Sequence, residues 1–288
     1  MKPILQSFKN YLYQAGYSDT IHRMLPTLVK EFIIQQEITD ISFVEQKRVK
    51  SFYEYLQTRP LRKRSGALSE MMIRHYLYAL RTFFTWLEVT EQADYNPISG
   101  MKFKRAKQNI RKPLSLQEIA LLLESVTTLK QRALLHIFYS CGLRRSEGES
   151  LNTGDIHFKQ RVLYVRRGKG AKRRAVPMTD RVSRELEEYY LQERCGNSVK
   201  KVRDEDAFLL NRTGGRMSGD QLNTLLKELA QKAGLEKEIT LHYLRHSIAT
   251  HLLHGGMNMQ YVKDFLGHSF LESTQVYAKP NAEQLKGL

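Results

Sequence analysis

Cysteine is scarce. Cys141 and Cys195 are the only two among 288 residues, which excludes a disulfide framework and makes a reducing cytoplasm the natural compartment. No run approaches the ~18 consecutive apolar positions of a membrane span. The amphipathic start, residues 1–16, has no signal-peptide core and no small-residue cleavage site, so neither secretion nor a membrane partner is expected. Internal repeats, low-complexity tracts and a Gly-x-x-x-x-Gly-Lys-Ser/Thr phosphate loop are all missing. Acids are outnumbered, 30 against 46 Lys plus Arg, which leaves a formal charge of +16 and a pI of about 9.7. The remaining composition, 41% hydrophobic and 26% charged, is ordinary and excludes bulk disorder. The length fits one large domain or two ordinary ones, and is ample for a buried core. The basic surplus favours an anionic polymer as partner over a merely solvated surface, without saying which polymer.

The first hundred residues read as helices, with no strand-like alternation. Apolar residues recur at three- and four-residue steps through Leu5, Phe8, Tyr11 and Leu12. A second helix follows Ser18 and Asp19, either of which can cap it, and runs through Ile21, Leu25, Leu28 and Phe32. A third carries Phe43, Val49, Phe52 and Leu56 and stops near Pro60. The fourth is capped by Ser69 and presents Ile73 to Leu87. Asn96-Pro97 closes the block, because the residue before a proline is pushed out of the helical region. Met101 to Pro113 then brings Lys102, Lys104, Arg105, Lys107, Arg111 and Lys112 with no acid, which fits a solvated linker or a strip lying along a phosphate backbone.

Beyond the linker the chain mixes classes. Ser115 and Glu118 have capping-box spacing. Helical patterns cover roughly 115–126, 130–141, 145–151, 180–193, 219–233, 242–253 and 258–266. Alternation predicts a strand at 161–165 and a partner at 174–178, with 168–173 as the hairpin turn. The expected fold class is mainly α. An all-α domain over 1–100 and a basic linker over 101–113 precede a mostly helical α+β domain over 114–288 that contains a small antiparallel sheet.

Four short segments carry residues suited to chemistry, and each has a bland alternative. Tyr139 to Glu147 is an apolar helix ending at Gly142, followed by Arg144 and Arg145; by itself it is a helix–helix corner with surface arginines. Arg166 to Arg174 holds six basic residues in nine, either a solvated loop or an anion contact. In Leu241 to His246, two histidines stand four apart. Arg245 lies between them and no acid does, so the segment suits an anion better than a metal. Finally, Leu266-Gly267-His268 precedes Tyr277, one of 15 tyrosines and a poor nucleophile unless cations assist it.

Order and spacing make these segments one pattern. Gly-Leu-Arg-x-Ser-Glu (142–147), Gly-Lys-Gly-x-Lys-x-Arg (168–174), His-x-Leu-Arg-His (242–246), Leu-Gly-His (266–268) and Tyr277 together resemble the tyrosine recombinase, or phage integrase, family, and in particular its Xer-like members. The resemblance covers nearly the whole chain. It makes 1–100 a SAM-like core-binding DNA-binding domain and 114–288 the catalytic domain. It implies that Arg144 and Arg245 grip a scissile phosphate, that Lys169, His242 and His268 assist, and that Tyr277 is the nucleophile. Glu147 and His246 take supporting roles. Two positions depart from the family pattern: Arg145 stands where an apolar or small residue is commoner, and Gly148 where leucine is. Both bear on local packing.

The activity implied is site-specific recombination of duplex DNA through a 3′-phosphotyrosyl intermediate, for integration, excision, transposition or dimer resolution. No metal or ATP is expected. Lys102, Lys104, Arg105, Lys107, Arg111, Lys112, Arg166, Arg167, Lys172, Arg173 and Arg174 are expected to contact DNA. The resemblance further implies a homo- or hetero-tetramer on DNA, with the short segment after Tyr277 docked on a neighbouring subunit, in a cytoplasmic, nucleoid-associated protein. Two alternatives remain: a non-catalytic DNA-binding protein of the same architecture, and relaxation of the type IB topoisomerase kind.

Overall fold

A computed structural model describes residues 2–60, 66–104, 112–166, 174–196 and 202–267. The chain divides into two compact units, Met1–Ile110 and Arg111–Leu288.

In the first unit, helices α1 (Lys2–Gln14), α2 (Asp19–Gln35), α3 (Gln46–Thr58) and α4 (Glu70–Val89) follow one another as the apolar period predicts. Ser69 caps α4 by accepting the Met72 N–H at 3.2 Å. Ser18 precedes α2 but makes no side-chain cap, and Asp19 occupies the first turn. Phe43, expected inside the third helix, lies outside it and is exposed, since α3 begins only at Gln46. The core is aromatic: Phe8 meets Phe83 edge to face at 5.0 Å, and Phe32 meets Phe52 at 5.1 Å. A buried polar link ties α2 to α4, the Tyr76 hydroxyl donating to Glu31 at 2.8 Å and accepting from Arg59 at 3.0 Å. The start of the expected linker is anchored to this unit: Met101 and Phe103 pack on the core while Lys102 and Lys104 point outward.

In the second unit, α5 (Leu116–Glu124) opens with the expected capping box. Ser115 N–H donates to Glu118 at 2.7 Å, and Glu118 N–H donates to the Ser115 hydroxyl at 3.1 Å. Helix α6 (Leu129–Leu135) continues into a π-helical turn, His136–Ser140. Next come α7 (Arg145–Glu149) and a sheet of β1 (Ile156–His157), β2 (Val162–Val165) and β3 (Arg174–Pro177), antiparallel in the order β1-β2-β3. The register pairs Leu163 with Val176 and Val165 with Arg174. Helix α8 (Asp180–Glu188) again runs into a π-helical turn, and α9 (Gly219–Lys232), α10 (Leu241–His254) and α11 (Met259–Leu266) complete the described chain. The two-residue β1 was not expected, because it is too short for alternation to register. Leu114 N–H donates to the Ser247 hydroxyl at 2.8 Å, which seats the start of this unit against α10. No described helix is long and apolar enough to cross a membrane.

Candidate active site

The corner before Arg144 is shaped by Gly142. The helix ends with the Leu143 N–H reaching back to the Ile137 carbonyl at 3.1 Å, a glycine-terminated closure one residue longer than the usual six because the last turn is π-helical. Gly142 has φ +60, and a Cβ there would meet Leu266 Cδ2 at 2.9 Å, so only glycine fits both the backbone and the space. Arg144 follows two residues later, at the N-cap of α7.

Glu147, one turn into α7, is the hub. Its side chain is 1% exposed. Oε2 accepts the Arg144 backbone N–H at 2.8 Å, and Oε1 accepts Arg144 Nη1 at 2.6 Å. Arg174 forks onto the same carboxylate, Nη1 to Oε1 at 2.9 Å and Nη2 to Oε2 at 2.8 Å. Arg245 Nη1 stands 3.8 Å from Oε2. Burial by itself would push the Glu147 pKa up. The hydrogen bonds and charge of Arg174 and the hydrogen bonds from Arg144 outweigh it and hold the group at about 2.

The same three arginines seize consecutive carbonyls at the C-terminal end of α11. Arg174 Nε donates to Phe265 O at 3.0 Å, Arg245 Nη2 to Leu266 O at 2.6 Å, and Arg144 Nη2 to Gly267 O at 2.7 Å. These are the orphan carbonyls of a helix end, where the backbone dipoles favour cations. Arg245 also donates to the Gly142 carbonyl, which ties α10 to the corner before Arg144. Three guanidiniums against one carboxylate leave a surplus of positive charge beside the Gly267 turn, an arrangement suited to a phosphate group.

The structure thus brings together Arg144, Glu147 and Arg245. His242 is exposed in the first turn of α10, and His246 is half-buried one turn later on the same helix. Lys169, His268 and Tyr277 lie outside the described residues, as do Arg105, Lys107, Arg111, Arg167, Lys172 and Arg173. Lys102, Lys104, Lys112 and Arg166 are exposed, and Arg166 pairs with Asp155. Arg174 departs from expectation. The sequence places it among the DNA contacts, whereas its side chain is 9% exposed and its guanidinium faces Glu147. The signal was present in the strand: Arg174 lies two residues before the buried Val176, and residues two apart share one face of a strand.

Both departures from the family pattern have a partner. A Cβ at Gly148 would overlap the Phe138 ring, so phenylalanine fills the space a side chain at 148 would take. Arg145 lies over Gly219, which has no Cβ to obstruct it, and pairs with Asp220 at 2.8 Å.

The phage integrase family model matches residues 112–284. The tyrosine recombinase XerC of Syntrophus aciditrophicus is 32% identical over 290 residues, covering 96% of this chain and 88% of that protein. The tyrosine recombinase XerD of Listeria monocytogenes is 30% identical over 296 residues, covering 99% and 97%. Among solved structures, the Tn1549 transposon integrase in complex with circular intermediate DNA shares the fold with a TM-score of 0.76 at 19% identity, covering 99% of this chain and 98% of that one. The XerA recombinase shares it with a TM-score of 0.55 at 22% identity, covering 99% and 96%. The chain belongs to the phage integrase family. Within it this is a Xer-like tyrosine recombinase, a site-specific DNA strand transferase.

Proposed function

We propose that the chain cuts and rejoins duplex DNA through a 3′-phosphotyrosyl intermediate, with Tyr277 as nucleophile. The Tyr277 oxygen attacks the phosphorus, the bond to the 5′-oxygen breaks, and Lys169 protonates the departing 5′-oxygen to give the free 5′-hydroxyl. His242 takes the tyrosine proton, and His268 donates to a nonbridging oxygen. The phosphorane carries added negative charge, which Arg144 and Arg245 offset as fixed guanidiniums. Losing one such donor costs on the order of 10²–10³ in rate. The tyrosyl ester conserves the energy of the broken bond, so a 5′-hydroxyl from a partner strand can reverse the step without ATP or a metal. Arg245 is only 1% exposed, so productive docking has to uncover it.

What supports this reading is that Arg144 and Arg245, from segments far apart in the chain, both reach the Glu147 carboxylate and both donate to carbonyls of the 266–267 turn. Of the basic residues expected at DNA, the described and exposed Lys102, Lys104, Lys112 and Arg166 hold the duplex backbone, and this binding weakens with salt. On paired sites the chain acts as a tetramer, homo- or heteromeric, with the segment after Tyr277 exchanged between subunits. It works in the cytoplasm on the nucleoid.

The test is a random-sequence library of duplexes carrying one nick, which traps any covalent adduct. Wild type retains a subset of sequences in a denaturant-resistant complex, and Tyr277→Phe retains none while still binding duplex. If wild type and Tyr277→Phe both bind duplex and neither forms an adduct, the reaction assigned here is wrong. Plasmid relaxation without strand exchange on paired selected sites would instead mark a topoisomerase.

A further inference from the structure

The reaction scheme leaves Arg174 without a part, although it donates two hydrogen bonds to Glu147, as many as Arg144 does. We propose that Arg174 is a positioning residue for DNA cleavage: it fixes the Glu147 carboxylate, and through it the guanidinium of Arg144, without touching DNA. This inference rests on the reading of Arg144 as a phosphate-gripping arginine.

Three observations carry it. First, all three guanidinium nitrogens of Arg174 donate into the protein, two to Glu147 and Nε to the Phe265 carbonyl at 3.0 Å. A planar fork matched to a carboxylate holds it in orientation as well as in place. Second, each Glu147 oxygen is shared. Oε1 takes one bond from Arg144 and one from Arg174, and so does Oε2. Removing Arg174 takes one bond from each oxygen, so the carboxylate can turn and carry Arg144 with it. A displacement of about 1 Å in such a group is enough to cost ~10²-fold in rate. Third, the Arg174 side chain packs against the same turn that Arg144 grips. A Cβ at Gly267 would meet Arg174 Cδ at 2.9 Å, while the Gly267 carbonyl accepts Arg144 Nη2 at 2.7 Å. Arg174 is also the first residue of β3, five positions after Lys169, so it ties the root of that basic segment to the carboxylate hub.

Full-length Arg174→Lys, assayed on nicked duplexes that wild type captures from the random library, separates positioning from its rivals. Lysine keeps the charge and loses the fork. Positioning requires adduct formation slowed on the order of 10²-fold, with duplex affinity and its salt dependence unchanged. A wild-type rate in Arg174→Lys below its melting temperature overturns the inference and leaves a packing role. A wild-type rate together with a salt slope reduced by about one in Arg174→Gln overturns it in favour of a phosphate contact.

A second measurement depends neither on the variant folding nor on Tyr277. In the unaltered protein, guanidinium N–H signals from Arg174 should stay in place when random-sequence duplex is added, and movement of those signals overturns the inference. In free Arg174→Lys, the Arg144 guanidinium protons should exchange faster than in wild type; unchanged exchange is equally contrary. Should wild type form no adduct at all, the tyrosine chemistry fails on its own account, and these signals still decide the role of Arg174.

Discussion

Glu147 holds Arg144 from two directions, its Oε2 accepting the Arg144 backbone N–H at 2.8 Å and its Oε1 the side-chain Nη1 at 2.6 Å. One carboxylate therefore sets both where the arginine starts and where its guanidinium ends. The arrangement is charge-assisted and buried, the condition under which losing one partner is most costly.

The first prediction concerns that carboxylate. Its pKa is held at about 2, below the ordinary 4.5, so its contribution to stability is fully present above pH 4.5 and disappears as pH falls towards 2. The difference corresponds to about 3 kcal/mol. Denaturant unfolding of Glu147→Gln should show lower stability at neutral pH and a flatter decline with acid than wild type. Curves that run parallel down to pH 2 would show that the ion pairs contribute no net stability.

The corner glycine is the second target. Gly142→Ala must accept φ +60 and a Cβ 2.9 Å from Leu266 Cδ2. A left-handed alanine alone costs roughly 1–2 kcal/mol. Because the displaced carbonyl is one that Arg245 grips, adduct formation should slow as well as the melting temperature fall. A variant with lowered stability and an unchanged rate would separate the corner from catalysis.

Phe138 and Gly148 form a pair by volume, and a double-mutant cycle should expose it. Gly148→Leu alone overfills the site and should cost about 1–3 kcal/mol. Phe138→Ala alone leaves a cavity and should cost about 3–5 kcal/mol. Combined, the two should lose clearly less than their sum, since each makes room for or fills the other. Additive losses would mean that the ring does not occupy the space of residue 148.

His136 provides a pH test away from the site. It is buried, with Nε2 2.6 Å from Glu185 Oε2 and Nδ1 3.0 Å from the Ser140 hydroxyl. Burial lowers its pKa below 6.5 even though Glu185 pulls the other way. The unfolded chain then binds the proton more readily than the folded one, so stability falls as pH drops below 6.5. His251, lowered chiefly by burial too, adds to the same slope. Urea unfolding of His136→Gln between pH about 7.5 and about 5.5 should show a weaker pH dependence than wild type. An identical slope would assign the effect to other groups.

Much of the fold is legible along the chain because its determinants are local. Helices α1 to α4 follow from apolar residues three and four apart, and the boundary of α5 follows from Ser115 and Glu118, whose mutual hydrogen bonds need nothing beyond four residues of sequence. Phe43 lies ahead of α3 although its spacing suits the helix, because an apolar residue just before a helix start has the same spacing as one inside it. The π-helical turns after α6 and α8 leave no period of their own, since they are one-turn insertions in a helical pattern.

The sequence by itself determined the mainly helical class, the basic surplus, and the order of Arg144, Lys169, His242, Arg245, His268 and Tyr277 that marks a tyrosine recombinase. Those properties reside in residue types and their spacing. Only the tertiary structure decided what the charges do. It turned Arg174 inward onto Glu147, set three guanidiniums on the carbonyls of 265, 266 and 267, and matched Phe138 to Gly148. The reason is physical. The sign of a side chain follows from its identity, whereas its hydrogen-bond partner depends on which distant backbone and carboxylate oxygens the fold brings within 3 Å.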